Sequence, residues 1–443
     1  MSGTGKEISV LLVGIGGYGK TYLDALCKAA GSMPGGALNP ELRNALNPEP
    51  GGAANRTAAE RIERCKPFRI AGAVDVAPAA RAVAAERGIP LYGSVGAFYA
   101  SDRADLAVLS TPIHFHCEQI KQCLSHGSNV LCEKPLCATA EEAEEILLAE
   151  KASGRFVRVG YQLSFSDSVL ALKADILSGV FGKPLVFKAI VHYPRNEAYY
   201  ARNGWAGKKR SADGRMILDS PVHNAVAHHL NNMLFLLGGA LDAAARLKTV
   251  QAELYRGNPS VENFDTTAIK CTTESGAQIF FYTSHCVARE KNLGPVCQYR
   301  FEKAAAVHTD DAEHETFHAL FDDGSSRLYA PVCPDQTKKL WDCIAAVRGG
   351  PIPPSGAEAA AAEVICVNGA QLSHPIATIP GEYVTRTGAP GERVTAVRGL
   401  EDMLYGCFDR MLLPSEAGAG RPPWLKPGKI INACDICRVA DFI

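Results

Sequence analysis

Several groups of residues in this chain have the types and spacing to do chemistry. Gly14, Gly16 and Gly19 form a G-x-G-x-x-G pattern that also takes in Gly17 and Tyr18. Gly14 permits a tight turn, Gly16 lets backbone approach a pyrophosphate, and Gly19 allows a helix to pack closely on a strand. Asp75 closes an apolar run and can accept hydrogen bonds from the hydroxyls of a ribose. Its other reading is a cap on the helix that follows. Glu133-Lys134-Pro135 sets an amine between an acid and a proline, and Asp219 lies four positions before His223. An ionised Asp219 favours the imidazolium form of His223 and a helix N-terminus disfavours it. A capping acid and a core histidine are the plainer reading of that pair.

The elements around these residues alternate. Ile8 to Val13 reads as a buried parallel strand, and Tyr22, Leu23 and Leu26 mark the helix after the glycines. That helix N-terminus offers unpaired N–H groups and a positive dipole end to phosphates. Residues 31–66 read as an insertion: a Pro/Gly/Asn/Ala-rich loop to 55, with a short helix over Pro40 to Leu46, then a helix over Thr57 to Cys65. Strands follow over Phe68 to Val74, Leu91 to Gly93, Leu106 to Leu109, Asn129 to Cys132 and Phe156 to Gly160. Helices over Ala77 to Arg87, Cys117 to Ser125 and Thr139 to Ala152 lie between them. This order predicts a parallel sheet with helices on both faces, whose C-terminal strand ends collect the ligand. Gly14 to Gly19, Asp75, Ser110, Thr111, Pro112, His116, Glu133 and Lys134 all fall at such ends, which makes them the candidate contacts of a dinucleotide. A carboxylate at position 75 repels a 2′-phosphate, so NAD is expected rather than NADP.

The glycine pattern, Asp75, Ser110-Thr111-Pro112 with His116 four residues on, and Cys132-Glu133-Lys134-Pro135-Leu136 together resemble the Gfo/Idh/MocA oxidoreductases. That family includes glucose–fructose oxidoreductase and inositol 2-dehydrogenase. The resemblance implies hydride transfer between a secondary alcohol of a sugar, polyol or cyclitol and a nicotinamide cofactor. It makes Lys134 the catalytic base, its neutral amine favoured by the positive charge of an oxidised nicotinamide. Asp219 and His223 are then the residues that bind the reacting hydroxyl and relay its proton. The family pattern there is Asp-x-Gly-x-His, often with a second Asp three residues later; here Pro221 replaces the glycine and Val226 the second acid. Two further readings remain open: an NAD-retaining glycosidase or epimerase-like enzyme of the same family, and a nucleotide-sensing regulator without chemistry.

The second half changes period. A helix over Val169 to Ser178 and a strand over Leu185 to His192 precede a loop, Tyr193 to Arg215, rich in aromatic and basic residues. Its Tyr199, Tyr200, Trp205 and Lys208-Lys209-Arg210 suit a sugar or an ordinary solvated surface equally. Ser220 as N-cap and Pro221 at the first position predict a helix from Pro221 to Leu237. Strands over Ala244 to Leu254, Asp265 to Thr272, Ala277 to Thr283, Cys297 to Glu302, Thr316 to Phe321 and Ser326 to Tyr329 predict an antiparallel sheet. Helices over Lys338 to Val347 and Gly356 to Ser373 follow. The expected fold class is α/β: an N-terminal Rossmann doubly wound parallel sheet over 1–160, and a C-terminal α+β domain with a mainly antiparallel open sheet over 161–443. By resemblance that sheet is both substrate platform and subunit interface, which predicts a homo-oligomer. The tail, 374–443, is expected to wrap the sheet or a neighbouring subunit.

Composition narrows the field. In 443 residues the formal net charge is −1, so no overall field favours nucleic acid or an anionic membrane. No apolar run approaches the roughly twenty residues a bilayer span needs. The N-terminus enters its first strand too soon for a secretory signal. The 15 cysteines, several inside apolar runs, read as reduced buried thiols and a cytoplasmic setting. Two motifs are expected to be decoys. His314-Glu315-Thr316-Phe317-His318 copies the zinc pattern H-E-x-x-H, but the segment reads as a strand, which parts the two histidines. Cys434-Asp435-Ile436-Cys437 has no second pair to complete a metal site, and none is expected.

Overall fold

A computed structural model describes residues 6–31, 58–310, 315–332, 335–418 and 420–436. Most of the expected insertion, including its short helix over 40–46, lies outside these residues, as do His314 and Cys437.

The chain divides into two compact units, and not by a single cut after residue 160. The first unit comprises Met1–Leu136, Glu145–Asp167 and Cys333–Ala357; the second comprises Cys137–Glu144, Ser168–Val332 and Glu358–Ile443. A linear boundary misses this because residues 333–357 return to the first unit and complete its core.

The first unit is built on six parallel strands: β1 (Ile8–Val13), β2 (Phe68–Val74), β3 (Leu91–Tyr92), β4 (Leu106–Leu109), β5 (Asn129–Cys132) and β6 (Val157–Val159). Their order is β3-β2-β1-β4-β5-β6, with the reversal between β1 and β4. Every residue of β1, β4 and β5 is buried, the property that makes such strands read as unbroken apolar runs. Helix α1 (Gly19–Ala29) turns Tyr22, Leu23, Leu26 and Cys27 inward. Helix α2 (Ala58–Cys65) precedes β2, and α3 (Pro78–Glu86), α4 (Val95–Ser101), α5 (His116–Ser125) and α6 (Ala140–Ser153) follow in turn.

The main run of the second unit starts within α7 (Asp167–Ser178), followed by β7 (Pro184–His192), α8 (Glu197–Ala201) and α9 (Ala227–Leu236). Then come β8 (Leu247–Arg256), β9 (Thr266–Thr273), β10 (Gln278–Ser284), β11 (Leu293–Phe301), β12 (Ala304–Asp310), β13 (Glu315–Phe321) and β14 (Ser326–Leu328). These strands pair antiparallel except for β7 with β10, in the order β14-β13-β12-β11-β7-β10-β9-β8. Helices α10 (Lys338–Val347) and α11 (Ala357–Ser373) follow. The tail covers the chain's own sheet. Its β15 (Ala377–Thr378) pairs with β8, and α12 (Leu400–Arg410) packs Leu400, Leu404 and Phe408 against Phe280 and Tyr282.

What α10 brings back to the first unit is both apolar and charged. Leu340, Trp341 and Ile344 join the core of Leu12, Leu106 and Leu131, and the Trp341 ring lies 5.8 Å from that of Phe68. Lys339 is 1% exposed, and its Nζ donates to Glu133 Oε1 at 2.6 Å and to the Gly160 carbonyl at 3.2 Å. Burial alone pushes Glu133 up, but the Lys339 charge, with hydrogen bonds from Lys339 and Tyr22, holds it below its ordinary value. Burial pulls Lys339 down, and Glu133 more than reverses this. Glu133 therefore contributes stability above the ordinary carboxylate range, and that contribution is lost as pH falls through its lowered folded value. Lys339→Met should cost about 3–5 kcal/mol in urea unfolding at neutral pH, because a carboxylate is left buried without its cation. Acidification should narrow the gap between variant and parent; a gap independent of pH would contradict this account.

Candidate functional site

Within the first unit the candidate residues meet at the C-terminal ends of β1, β2, β4 and β5. The turn after β1 carries Gly14 at φ +80, with its N–H donating to the Val74 carbonyl at 2.8 Å. A Cβ at Gly14 would stand 2.9 Å from the Ser110 carbonyl oxygen, and one at Gly19 would stand 1.9 Å from that of Gly14. Gly14 and Gly19, the first residue of α1, thus have no room for side chains. Around Gly16 and Gly17 the space is open.

Asp75 ties the turn to the end of β2. Its Oδ2 accepts from the N–H groups of Ile15 (2.9 Å) and Gly16 (3.3 Å), and its Oδ1 from that of Ala77 (2.8 Å). The bond to Ala77 is a local turn before α3, not a cap on the first turn of the helix.

His116, at the head of α5, joins the next two loops. Its Nε2 lies 2.8 Å from the Thr111 carbonyl oxygen and its Nδ1 2.9 Å from that of Pro135. Burial lowers its proton affinity. Thr111 Oγ1 donates to Gln119 Oε1 at 2.6 Å, while Ser110 Oγ is buried without a partner. Glu133 is buried and bonded within the protein. Its carboxylate accepts from Tyr22 and Lys339, and weakly from the Lys134 N–H at 3.3 Å. Tyr18, at the glycine turn, sets its ring 4.7 Å from Lys339 Nζ. Lys134 is half-buried on the loop after β5 and is joined to Pro135 by a cis peptide. Its charge adds to that of Lys339 in lowering Glu133.

In the second unit the expected helix from Pro221 to Leu237 is broken. Ser220 does cap it, accepting from the His223 N–H at 3.4 Å. The first turn, Pro221–Ala225, is π-helical, closed by Val226 N–H to the Pro221 carbonyl at 2.9 Å, and α9 begins only at Ala227. Leu218, fully buried, holds φ +53, a conformation that strains a branched side chain. Asp219 and His223, on either side of this break, have different partners. Asp219, 3% exposed, accepts from the Gly207 N–H (2.6 Å) at Oδ2 and from Asn224 Nδ2 (2.8 Å) at Oδ1. His223 Nδ1 lies 3.2 Å from Glu363 Oε1, and both side chains are wholly buried. The Nε2 of His223 is buried without a hydrogen-bond partner.

Tyr199, Tyr200, Asp219, Ser220 and His285 line one small crevice. Tyr200 and His285 Nδ1 are 2.9 Å apart, and the guanidinium groups of Arg202 and Arg195 sit 3.6 Å and 4.8 Å from the Tyr199 ring centre. The loop from Tyr193 is therefore organised around Tyr199, and part of it, Glu197–Ala201, is helical. Three participants escape a reading by motif: Lys339, Asn224 and Glu363. For Lys339 and Glu363 the available signal was a charged residue inside an apolar helical stretch.

The described half of the zinc-like motif, from Glu315, lies in strand β13. No described cysteine is in a disulfide, and all but Cys434 are buried. No helix among the described residues is long and apolar enough to cross a membrane.

Residues 8–161 match the oxidoreductase family with an NAD-binding Rossmann fold, and residues 169–307 match the GFO/IDH/MocA C-terminal domain. An uncharacterized oxidoreductase of Streptococcus pneumoniae is 28% identical over 162 residues, 36% of this chain and 41% of that protein. Inositol 2-dehydrogenase 1 of Mycolicibacterium vanbaalenii is 41% identical over 91 residues, 20% of this chain and 26% of its own. The matches thus span less than half the length of these curated relatives. The crystal structure of a WlbA dehydrogenase from Chromobacterium violaceum, in complex with NADH and UDP-GlcNAcA, shares the fold. Its TM-score is 0.62 at 19% identity, over 89% of this chain and 97% of that one. With both its parallel-sheet region and its antiparallel-sheet region matched, the chain belongs to the Gfo/Idh/MocA family of oxidoreductases.

Proposed function

We propose that this protein is an NAD-dependent dehydrogenase that oxidises a secondary alcohol of a sugar, polyol or cyclitol. The observation that carries the reading is the gathering of the glycine turn, Asp75, the Ser110–Pro112 loop and Lys134 at one end of the parallel sheet. A dinucleotide fits these residues: the turn excludes side chains at Gly14 and Gly19, is open at Gly16 and Gly17, and leaves Ser110 Oγ unpaired. When bound, the nicotinamide supplies the hydride acceptor.

The chain's own residues do the rest. The N–H groups at the start of α1 favour the phosphates. Asp75 accepts from the adenosine ribose and repels a 2′-phosphate. Lys134 serves as the base for the alcohol proton, while Asp219 and His223 bind the reacting hydroxyl and relay that proton. Glu133 and His116 set the loop that carries Lys134, and the aromatic and basic segment around Tyr199, Tyr200 and Trp205 suits the faces and hydroxyls of a carbohydrate. We also propose a cytoplasmic homo-oligomer joined through the antiparallel sheet. One face of that sheet bears the exposed side chains of Leu320 (49%) and Leu328 (82%).

A panel of sugars and cyclitols followed at the NADH absorbance should reveal a substrate. Turnover without net NADH would favour a transient-oxidation enzyme instead, and an inert panel a nucleotide sensor. With a substrate in hand, Lys134→Ala should lower turnover roughly 10²–10⁴-fold while NAD still binds; near-parental turnover would remove Lys134 from the chemistry. NADP should be used at least roughly tenfold less efficiently than NAD, a difference of about 1.4 kcal/mol. Asp75→Ser should narrow that ratio, and an unchanged ratio would remove Asp75 from cofactor choice.

A further inference from the structure

We infer that Glu363 is the positioning residue for His223, holding its imidazole with the proton on Nδ1 and the lone pair on Nε2. The inference rests on the role proposed for His223 and adds to it a tautomer, a working nitrogen and a partner from a distant helix.

Geometry supplies the argument. Glu363 Oε1 and His223 Nδ1 are 3.2 Å apart with neither side chain exposed. An ionised carboxylate only accepts, so the shared proton belongs to Nδ1 and Nε2 keeps its lone pair. That Nε2 is buried and without a hydrogen-bond partner. A polar atom left so costs about 1–3 kcal/mol unless something else satisfies it, and a substrate hydroxyl is of the right chemistry. Asp219, the nearer acid in the chain, is not the orienting group, because Nδ1 meets Glu363 and Nε2 has no hydrogen-bond partner.

Helix α11, which carries Glu363, is fastened so that the carboxylate cannot drift. Asn368 on the same helix donates to the Ala138 carbonyl (3.0 Å) and accepts from the Ala140 N–H (2.9 Å). Gln371 donates to Asn263 (2.8 Å), whose own amide donates to the Asp219 carbonyl (3.1 Å). One helix therefore orients His223 directly and braces the backbone of Asp219 through Asn263. In the relay, a new Nε2–H bond forms as the N–H bond through which Lys134 took the alcohol proton breaks. The carboxylate of Glu363 then balances the charge of the doubly protonated ring, and Nε2 gives the proton up to the water that takes the place of the departing product.

Glu363→Gln keeps the shape and removes the charge. It should lower kcat roughly 10–100-fold, the range for losing a partner behind a working histidine, with KM and the Kd for NAD unchanged. In a His223→Ala background the same substitution should have no further effect on kcat. Equal losses in both backgrounds, or a folded Glu363→Gln with parental kcat, would overturn the inference. The cofactor-free parent gives a second test that needs neither activity nor a variant at position 363. Nitrogen-15 spectra of labelled histidine, with the His223 signals identified by their loss in His223→Ala, should show Nδ1 protonated and Nε2 bare. An Nε2–H tautomer would overturn the inference. If His223→Ala itself leaves turnover intact, the proposed role of His223 fails, while the tautomer measurement still decides whether Glu363 positions the ring.

Discussion

Taking Glu133 out of water costs several kcal/mol, and the chain offsets that cost with a cation from 206 residues further along. The ammonium of Lys339 is buried too, so neither charge is tolerable without the other. Tyr22 from α1 and the carbonyl of Gly160 complete the coordination of the pair, and the ring of Tyr18 lies over the ammonium. Four separate segments of the first unit are thereby held to one point. That point lies directly behind the loop carrying Lys134. The glycine turn, the start of α1 and the end of β5 keep their spacing because they share this electrostatic anchor, whereas purely apolar contacts would fix it less sharply.

The second unit positions its polar residues differently, through irregular backbone. Leu218 sits in left-handed space, Ser220 caps, and a π turn separates Pro221–Ala225 from the regular helix. A straight α-helix from Pro221 would present its first-turn side chains at regular intervals. The wider turn instead lets Asp219 face Gly207 and Asn224 while His223 reaches Glu363. Strain of this kind costs of order 1–3 kcal/mol and persists where surrounding packing over-determines it. Here Leu218, Val222 and His223 are all fully buried.

How much of this was legible in the sequence follows from the same physics. Strands β1, β2, β4 and β5 appear at the bounds expected of them, because a parallel strand buried on both faces leaves an unbroken apolar run that ends where the ligand loops begin. The helices expected over Lys338 to Val347 and Gly356 to Ser373 are found within one residue of those bounds. Strand β12 was not: Ala304-Ala305-Ala306 favours a helix locally, and only pairing with β11 and β13 makes it extended. The break after Pro221 was hidden since a proline at the first helical position is compatible with either kind of turn. Lys339 and Glu363 carry no motif. Each is a single charge whose partner is far away in sequence, and distance along the chain erases the spacing on which motif reading relies.

The return of residues 333–357 to the first unit has a consequence for how the protein is made. During synthesis the parallel sheet emerges early, but its core still lacks Leu340, Trp341 and Ile344, and Glu133 has no counter-ion until Lys339 leaves the ribosome. Nearly all of the second unit's strands are translated in the interval. The N-terminal sheet must therefore wait, incompletely closed and with apolar surface showing, for a segment made only after β14. Contacts of such long sequence separation slow folding and prolong exposure to aggregation. A fragment ending near the last strand of the parallel sheet would carry the nucleotide-binding residues without the helix that seals them.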